Sequence, residues 1–329
     1  MSARTAGKGL AAGSKPQPSA AVGEHLTCLL DEQPGYLVPR GPNPLSPRTS
    51  RRDGLIVNPL CRFFWHSADN SVESPGKHRA SIWVVDPVTG LGSVFTVASV
   101  LGPVLRQLQP GDPAPRTIPA AHAGVLLRAG ILISPTEVKA RRRMWSERQS
   151  RLRRQFERHG YVRLPGLLHP FCLGEQRLHY RRLIRTGGMQ FGDPQTSGRY
   201  AAHNENAARS VHRQLTDLIS NLAGEPVKPS YAYVVSYQGG AKLTEHVDRE
   251  QCEFSVSLLL DYTPDCLGPS PWPLCLRAGR VVRISQRIGE ALLYRGRSLP
   301  HFRNRLADHA TSTSMLLHYV PRDFAGPLD

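Results

Sequence analysis

The stretch YAYVVSYQGGAKLTEHVDREQCEFSVSLLL, residues 231–260, decides how the chain is read. It opens on a strand-like run, Tyr231 to Tyr237. It closes on another in which Phe254, Val256, Leu258 and Leu260 alternate with Ser255 and Ser257, the period of a half-buried strand. Between them stands His246-Val247-Asp248. At a strand end this spacing lets two side chains approach one ion, and a third ligand must then come from a distant strand. His301 supplies it, 53 residues after Asp248 and behind the strand-like Gly289-Glu290-Ala291-Leu292-Leu293-Tyr294, which should place it across the sheet from the motif. Two imidazoles and a carboxylate on one face of an octahedral ion leave three positions open, as expected of non-haem iron oxygenases; zinc prefers a closed tetrahedral site. His246, Asp248 and His301 are therefore the candidate metal ligands and the candidate catalytic centre.

Working outward, Val281 to Ile284, Ala291 to Tyr294 and Thr311 to Val320 also read as strands. Several short strands with Gly and Pro turns favour a barrel or double-sheet jelly roll. Ahead of them, Tyr161 to Leu168 predicts a short strand and turn, followed by a helix from about Pro170 to Arg185. A second helix carries Val211, Leu215, Leu218 and Leu222 on one face and stops at Gly224.

Ser134-Pro135-Thr136-Glu137 predicts a helix start, with Ser134 as N-cap and Glu137 completing a capping box, and Gly160 ends it. Val138, Trp145, Leu152 and Phe156 draw one apolar stripe along it, and arginines take the other faces. The formal charge of +16 is concentrated here: residues 137–185 hold fourteen Lys or Arg against four Glu. A solvated basic linker helix explains this better than nucleic-acid binding, because neither interleaved aromatics nor a nucleic-acid motif is present.

Earlier still, Ser81 to Val85 and Ser93 to Val97 flank the turn signal Asp86-Pro87-Val88-Thr89-Gly90 and predict a hairpin. Val100, Val104, Leu105 and Leu108 fall at helical spacing, and Ala120 to Leu127 predicts another short helix before Gly130 to Ile133. The Pro, Gly, Ser and Arg composition of the first fifty residues cannot offset the entropy of ordering.

The expected architecture is α+β. A flexible tail covers residues 1–50, a small and faintly winged-helix-like α/β module 51–134, and the basic linker helix 135–160. A C-terminal double-stranded β-helix, or jelly roll, with flanking helices covers 161–329. With 40% apolar and 21% charged residues, the chain can bury a sizeable core. No apolar run reaches membrane-spanning length, and Gly13, Lys15 and Pro16 interrupt any secretory signal core. Six scattered cysteines without a C-x-x-C pair point to a reducing, cytoplasmic setting.

Residues from about Tyr161 to Pro321 resemble the 2-oxoglutarate and iron(II) dioxygenases, in particular the prolyl-hydroxylase-like branch. The resemblance rests on the entry segment Gly160 to Leu168, on Tyr237 and Gly240 ahead of His246, and on Gly289 to Tyr294 before His301. It implies iron(II) held by His246, Asp248 and His301, 2-oxoglutarate as co-substrate with Tyr237 as one of its contacts, and molecular oxygen. It also implies hydroxylation of an amino acid, a peptide side chain or a small metabolite. The family's Arg or Lys about ten residues after the distal histidine is missing, since that stretch reads Ala310-Thr311-Ser312-Thr313. Arg303 is the nearest substitute, on the same face as His301 if both lie on one strand. Arg305, or the hydroxyls of Thr311 and Thr313, are the alternatives. In the polar segment Gly187 to Glu205, Arg199, Tyr200 and His203 are candidate substrate contacts at the mouth. A different class also fits the sequence: a catalytically silent jelly-roll protein, or a peptide-binding protein whose first module does the work.

Overall fold

The computed structural model describes residues 27–30, 54–65, 80–97, 99–193, 196–266 and 268–328. It is a mixed α/β chain dominated by one large antiparallel sheet.

The N-terminal module is built on a four-stranded sheet of β1 (Thr27–Leu30), β3 (Arg62–Trp65), β4 (Ala80–Val85) and β5 (Gly92–Val97), in the order β1-β5-β4-β3. The predicted β4–β5 hairpin is present, and Asp86 Oδ1 fixes its turn by accepting from the N–H groups of Val88 and Thr89 at 2.9 and 2.8 Å. Of the tail expected over residues 1–50, Thr27–Leu30 is a strand lying parallel on β5, and the remainder lies outside the described residues. β2 (Ile56–Val57) pairs with β6 (Leu132–Ile133), and two short helices, α1 (Gly102–Leu105) and α2 (Ala120–Arg128), complete the module.

The basic helix α3 (Pro135–His159) starts and stops where its caps predict. Ser134 Oγ accepts from the Glu137 N–H, and Gly160 closes the helix at φ 71°. Val138, Leu152 and Phe156 are buried. Several of its arginines are fastened to neighbours: Arg141 to Asp86 at 3.1 Å, and Arg142 and Arg148 to the carbonyls of Pro87 and Pro165.

The large sheet contains β7 (Tyr161–Pro165), β8 (Gln190–Asp193), β9 (Thr196–His203), β10 (Val227–Tyr237), β12 (Phe254–Thr263), β15 (Glu290–Arg295) and β17 (Thr311–Pro321). Its order is β7-β15-β12-β17-β10-β9-β8. A smaller antiparallel sheet of β11 (Leu243–His246), β13 (Leu274–Ala278), β14 (Arg280–Ile284) and β16 (His301–Arg303) has the order β11-β16-β13-β14. Alternation along the strands sorts the side chains. Ala232, Val234, Phe254, Val256, Leu293, Met315 and Tyr319 bury against α3, α4 (Pro170–Arg185) and α5 (Asn206–Ala223). On the other face, Leu292 and Tyr294 pack against Leu274, Leu276 and Ile284 of the small sheet.

Residues 187–205 are not the loop their polarity suggests. Most of them form the β8–β9 hairpin, which extends the large sheet through β10 in the register Arg199↔Tyr237. The five described cysteines with placed side chains are free, and no helix among the described residues is long and apolar enough to cross a membrane.

Candidate metal centre

β11 and β16 are neighbours in the small sheet, and His246 is the cross-strand partner of His301. The third ligand is therefore beside the motif in the same sheet, with imidazole centroids 4.4 Å apart. Asp248 follows in the turn after β11, which is pinned by its N–H donating to Gly296 O at 2.9 Å. Asp248 Oδ1 lies 3.4 Å from His301 Nε2 and 3.7 Å from His246 Nε2, and one donor atom from each of the three residues falls within 4.8 Å of the others. Ligands about 2.1 Å from one ion at right angles stand roughly 3 Å apart, so closure onto a first-row cation requires only small movements.

The ring orientations fit such an ion. His246 Nδ1 meets Thr244 O at 2.8 Å and His301 Nδ1 meets Leu299 O at 3.0 Å. A carbonyl only accepts, so each Nδ1 carries the hydrogen and each Nε2 turns a lone pair toward Asp248. Burial and the nearby His301 hold His246 below its ordinary pKa, favouring the neutral imidazole a metal needs. Burial alone would raise the Asp248 pKa, but in the metal-free chain a proton shared with His301 Nε2, together with the Ser255 hydroxyl, outweighs it and holds the carboxyl well below the usual range; a cation at the two Nε2 atoms would take that proton's place. The donor set of two neutral imidazoles and a carboxylate suits iron(II).

These groups line a cavity of about 410 Å³ between the two sheets, walled also by Tyr231, Tyr233, Tyr237 and Tyr294. Arg303 enters the same cavity. It is 5% exposed, donates to Trp272 O at 2.8 Å and lies over the Trp272 ring, and no described carboxylate pairs with it. Burial lowers its pKa, which marks a cation short of counter-charge. Tyr237 is also inside, edge-on to the Trp272 ring, its hydroxyl accepting from Arg199 at 2.7 Å.

The other sequence candidates separate by strand parity. Arg199 and His203 face the cavity, but Arg199 is committed to Asp193 at 2.5 Å, and Tyr200 projects to the opposite face against Phe191. Thr313 shares parity with Met315 and Leu317 and bonds Ser236 Oγ at 2.9 Å behind the sheet, and Thr311 shares that parity. The hydroxyl on the cavity side is that of Ser314, which is buried and without a partner. Arg305 is exposed and paired with Asp308. Tyr200, Thr311, Thr313 and Arg305 thus fall outside the site.

The sequence did not single out Ser255, His318 or Gly296. Ser255 Oγ donates to Asp248 Oδ2 at 2.6 Å and contacts His318 Nδ1 at 2.9 Å. Its signal was present as a serine at an inward position of an apolar strand. A Cβ on Gly296 would lie 2.3 Å from Asp248 Oδ2 and 2.5 Å from both Ser255 Oγ and the backbone oxygen of Cys252. Gly296→Ala should therefore cost about 1–3 kcal/mol of stability and weaken metal binding together. Melting temperature and calorimetric metal titration check this, and a variant matching wild type in both would contradict the packing.

No family model matches the chain, and no curated protein matches it. Among solved structures it is similar to a Pseudomonas putida prolyl-4-hydroxylase at 13% identity and a TM-score of 0.44, over 53% of this chain and 99% of that one. A prolyl hydroxylase from Trichoplax adhaerens, in complex with a hypoxia inducible factor peptide fragment, shows 18% identity and a TM-score of 0.45 over 53% and 89%. The non-haem α-ketoglutarate-dependent epimerase SnoN from nogalamycin biosynthesis shows 17% and 0.45 over 54% and 84%.

Proposed function

We propose that the chain is an iron(II) and 2-oxoglutarate-dependent oxygenase on a double-stranded β-helix. The strand order supports that fold: β10, β12, β15 and β17 form the centre of one sheet, and β11, β13, β14 and β16 form the other. One observation carries the function: a carboxylate and two imidazoles converge in one cavity with a buried guanidinium that has no carboxylate partner among the described residues.

His246, Asp248 and His301 hold the iron, which when bound supplies the oxygen chemistry. The chain's own groups do the rest. The Nδ1 bonds to Thr244 O and Leu299 O keep both imidazoles aimed at the ion. Arg303 receives the far carboxylate of 2-oxoglutarate through its planar fork, assisted by Ser314 and Tyr237 from the cavity wall. Asp193 neutralises Arg199 and so keeps that second cation from competing for the acid. The substrate enters past His203, Arg249 and Gln251, and the cavity volume suits an amino acid, a peptide side chain or a small metabolite. Fastening of the α3 arginines to the chain itself supports a structural role for that helix over nucleic-acid binding. Free cysteines support a cytoplasmic setting.

The test is succinate formation by iron-loaded protein given 2-oxoglutarate and oxygen, with pooled amino acids, peptides and metabolites as prime substrates. About one iron per chain and substrate-stimulated succinate are expected. Absence of both sinks the proposal.

A further inference from the structure

Ser255, Tyr294 and His318 form one row across the inner face of the large sheet, in the registers Ser255↔Tyr294 and Ser255↔His318. From this row a chain of hydrogen bonds runs to the metal centre. The Asp248 carboxylate can only accept, so the Ser255 hydroxyl spends its single hydrogen on Asp248 Oδ2 at 2.6 Å. Ser255 Oγ must then accept at its 2.9 Å contact with His318 Nδ1, which fixes His318 as the Nδ1–H tautomer. His318 is buried, and burial pushes its pKa down to about 4, consistent with a neutral ring. The two carboxylate oxygens of Asp248 thus have separate duties: Oδ1 faces both imidazoles and Oδ2 is tied to the sheet. Gly296 closes the space behind Oδ2, where even a methyl group would not fit.

Resting on the proposed metal site, we infer that Ser255 and His318 are positioning residues that hold Asp248 to coordination through Oδ1 alone. A carboxylate left free to swing would turn Oδ1 away from the two Nε2 atoms and lose that orientation again each time it binds the ion. Bound at Oδ2, it leaves three positions open. The same contacts argue against a separate metal seat at Asp248, Cys252 and His318, whose donor atoms also lie within 4.8 Å of one another. Ser255 already joins two of the three, Cys252 Sγ is engaged with the Tyr231 hydroxyl at 3.2 Å, and burial pushes the thiol up to about 12.

The experiment is calorimetric titration of the full metal-free chain with Mn²⁺, without 2-oxoglutarate, alongside melting of each metal-free variant. Ser255→Ala and His318→Leu should raise the dissociation constant about 10–100-fold. His318→Asn, whose amide nitrogen can stand where Nδ1 stood, should stay near wild type. A merely structural role would lower melting temperatures and leave affinity unchanged, and that result overturns the inference. Loss in His318→Asn as deep as in His318→Leu overturns the donor role of Nδ1. A wild-type chain that binds no Mn²⁺ overturns the metal site and this inference together, whereas normal binding by Ser255→Ala overturns this inference alone.

Discussion

Replacing both His246 and Asp248 with alanine will abolish metal binding and succinate formation together. Four-ligand structural zinc sites bind with about 10–16 kcal/mol, or roughly 2.5–4 per ligand, so removing two ligands forfeits about 5–8 kcal/mol. That corresponds to a dissociation constant roughly 10⁴- to 10⁶-fold weaker. Neither side chain is part of the apolar core, and His246 is partly exposed at the cavity, so the fold should survive. Metal content by elemental analysis and succinate by chromatography give the two readouts, with melting temperature as control. A folded double variant that still decarboxylates 2-oxoglutarate would dismiss the triad.

The second large effect falls on Arg303. A hydrogen bond to a charged group contributes about 1.5–3 kcal/mol, so Arg303→Leu, which removes a two-bond fork, should raise the KM for 2-oxoglutarate at least about 100-fold. The kcat at saturating co-substrate should change far less. Arg303→Lys should recover part of the loss, since it keeps the charge without the fork. Stability should move the other way. The guanidinium is buried without a described counter-ion, so the leucine variant should melt higher than wild type in the absence of co-substrate. An unchanged KM would move the carboxylate seat away from Arg303.

The legible part of the sequence was whatever period and punctuation control. Ser134 and Gly160 bounded α3, and the alternation from Phe254 to Leu260 identified a sheet with one apolar face. His246, Asp248 and His301 stood out because strand ends are where side chains converge. Strand parity could have been pushed further. Met315, Leu317 and Tyr319 set the helix-facing side of β17, and that alone turns Thr311 and Thr313 away and brings Ser314 in. The β8–β9 hairpin was hidden because its inner face lines the cavity with polar side chains, among them Asp193, Arg199 and His203. Arg199 and His203 read as loop residues, and the Asp193 carboxylate that lets Arg199 be buried sits six positions earlier. The link from Asp248 through Ser255 to His318 joins three elements, and no local pattern announces it.

One consequence concerns the Thr27–Leu30 strand, which sequence composition assigns to a tail. It covers the open side of β5 for four residues, beside the helix α4. A protein shortened to begin at residue 51 would bare that row of backbone donors and acceptors, an invitation to strand exchange between molecules. Good behaviour at high concentration would therefore depend on a short stretch far ahead of His246, Asp248 and His301 in the chain.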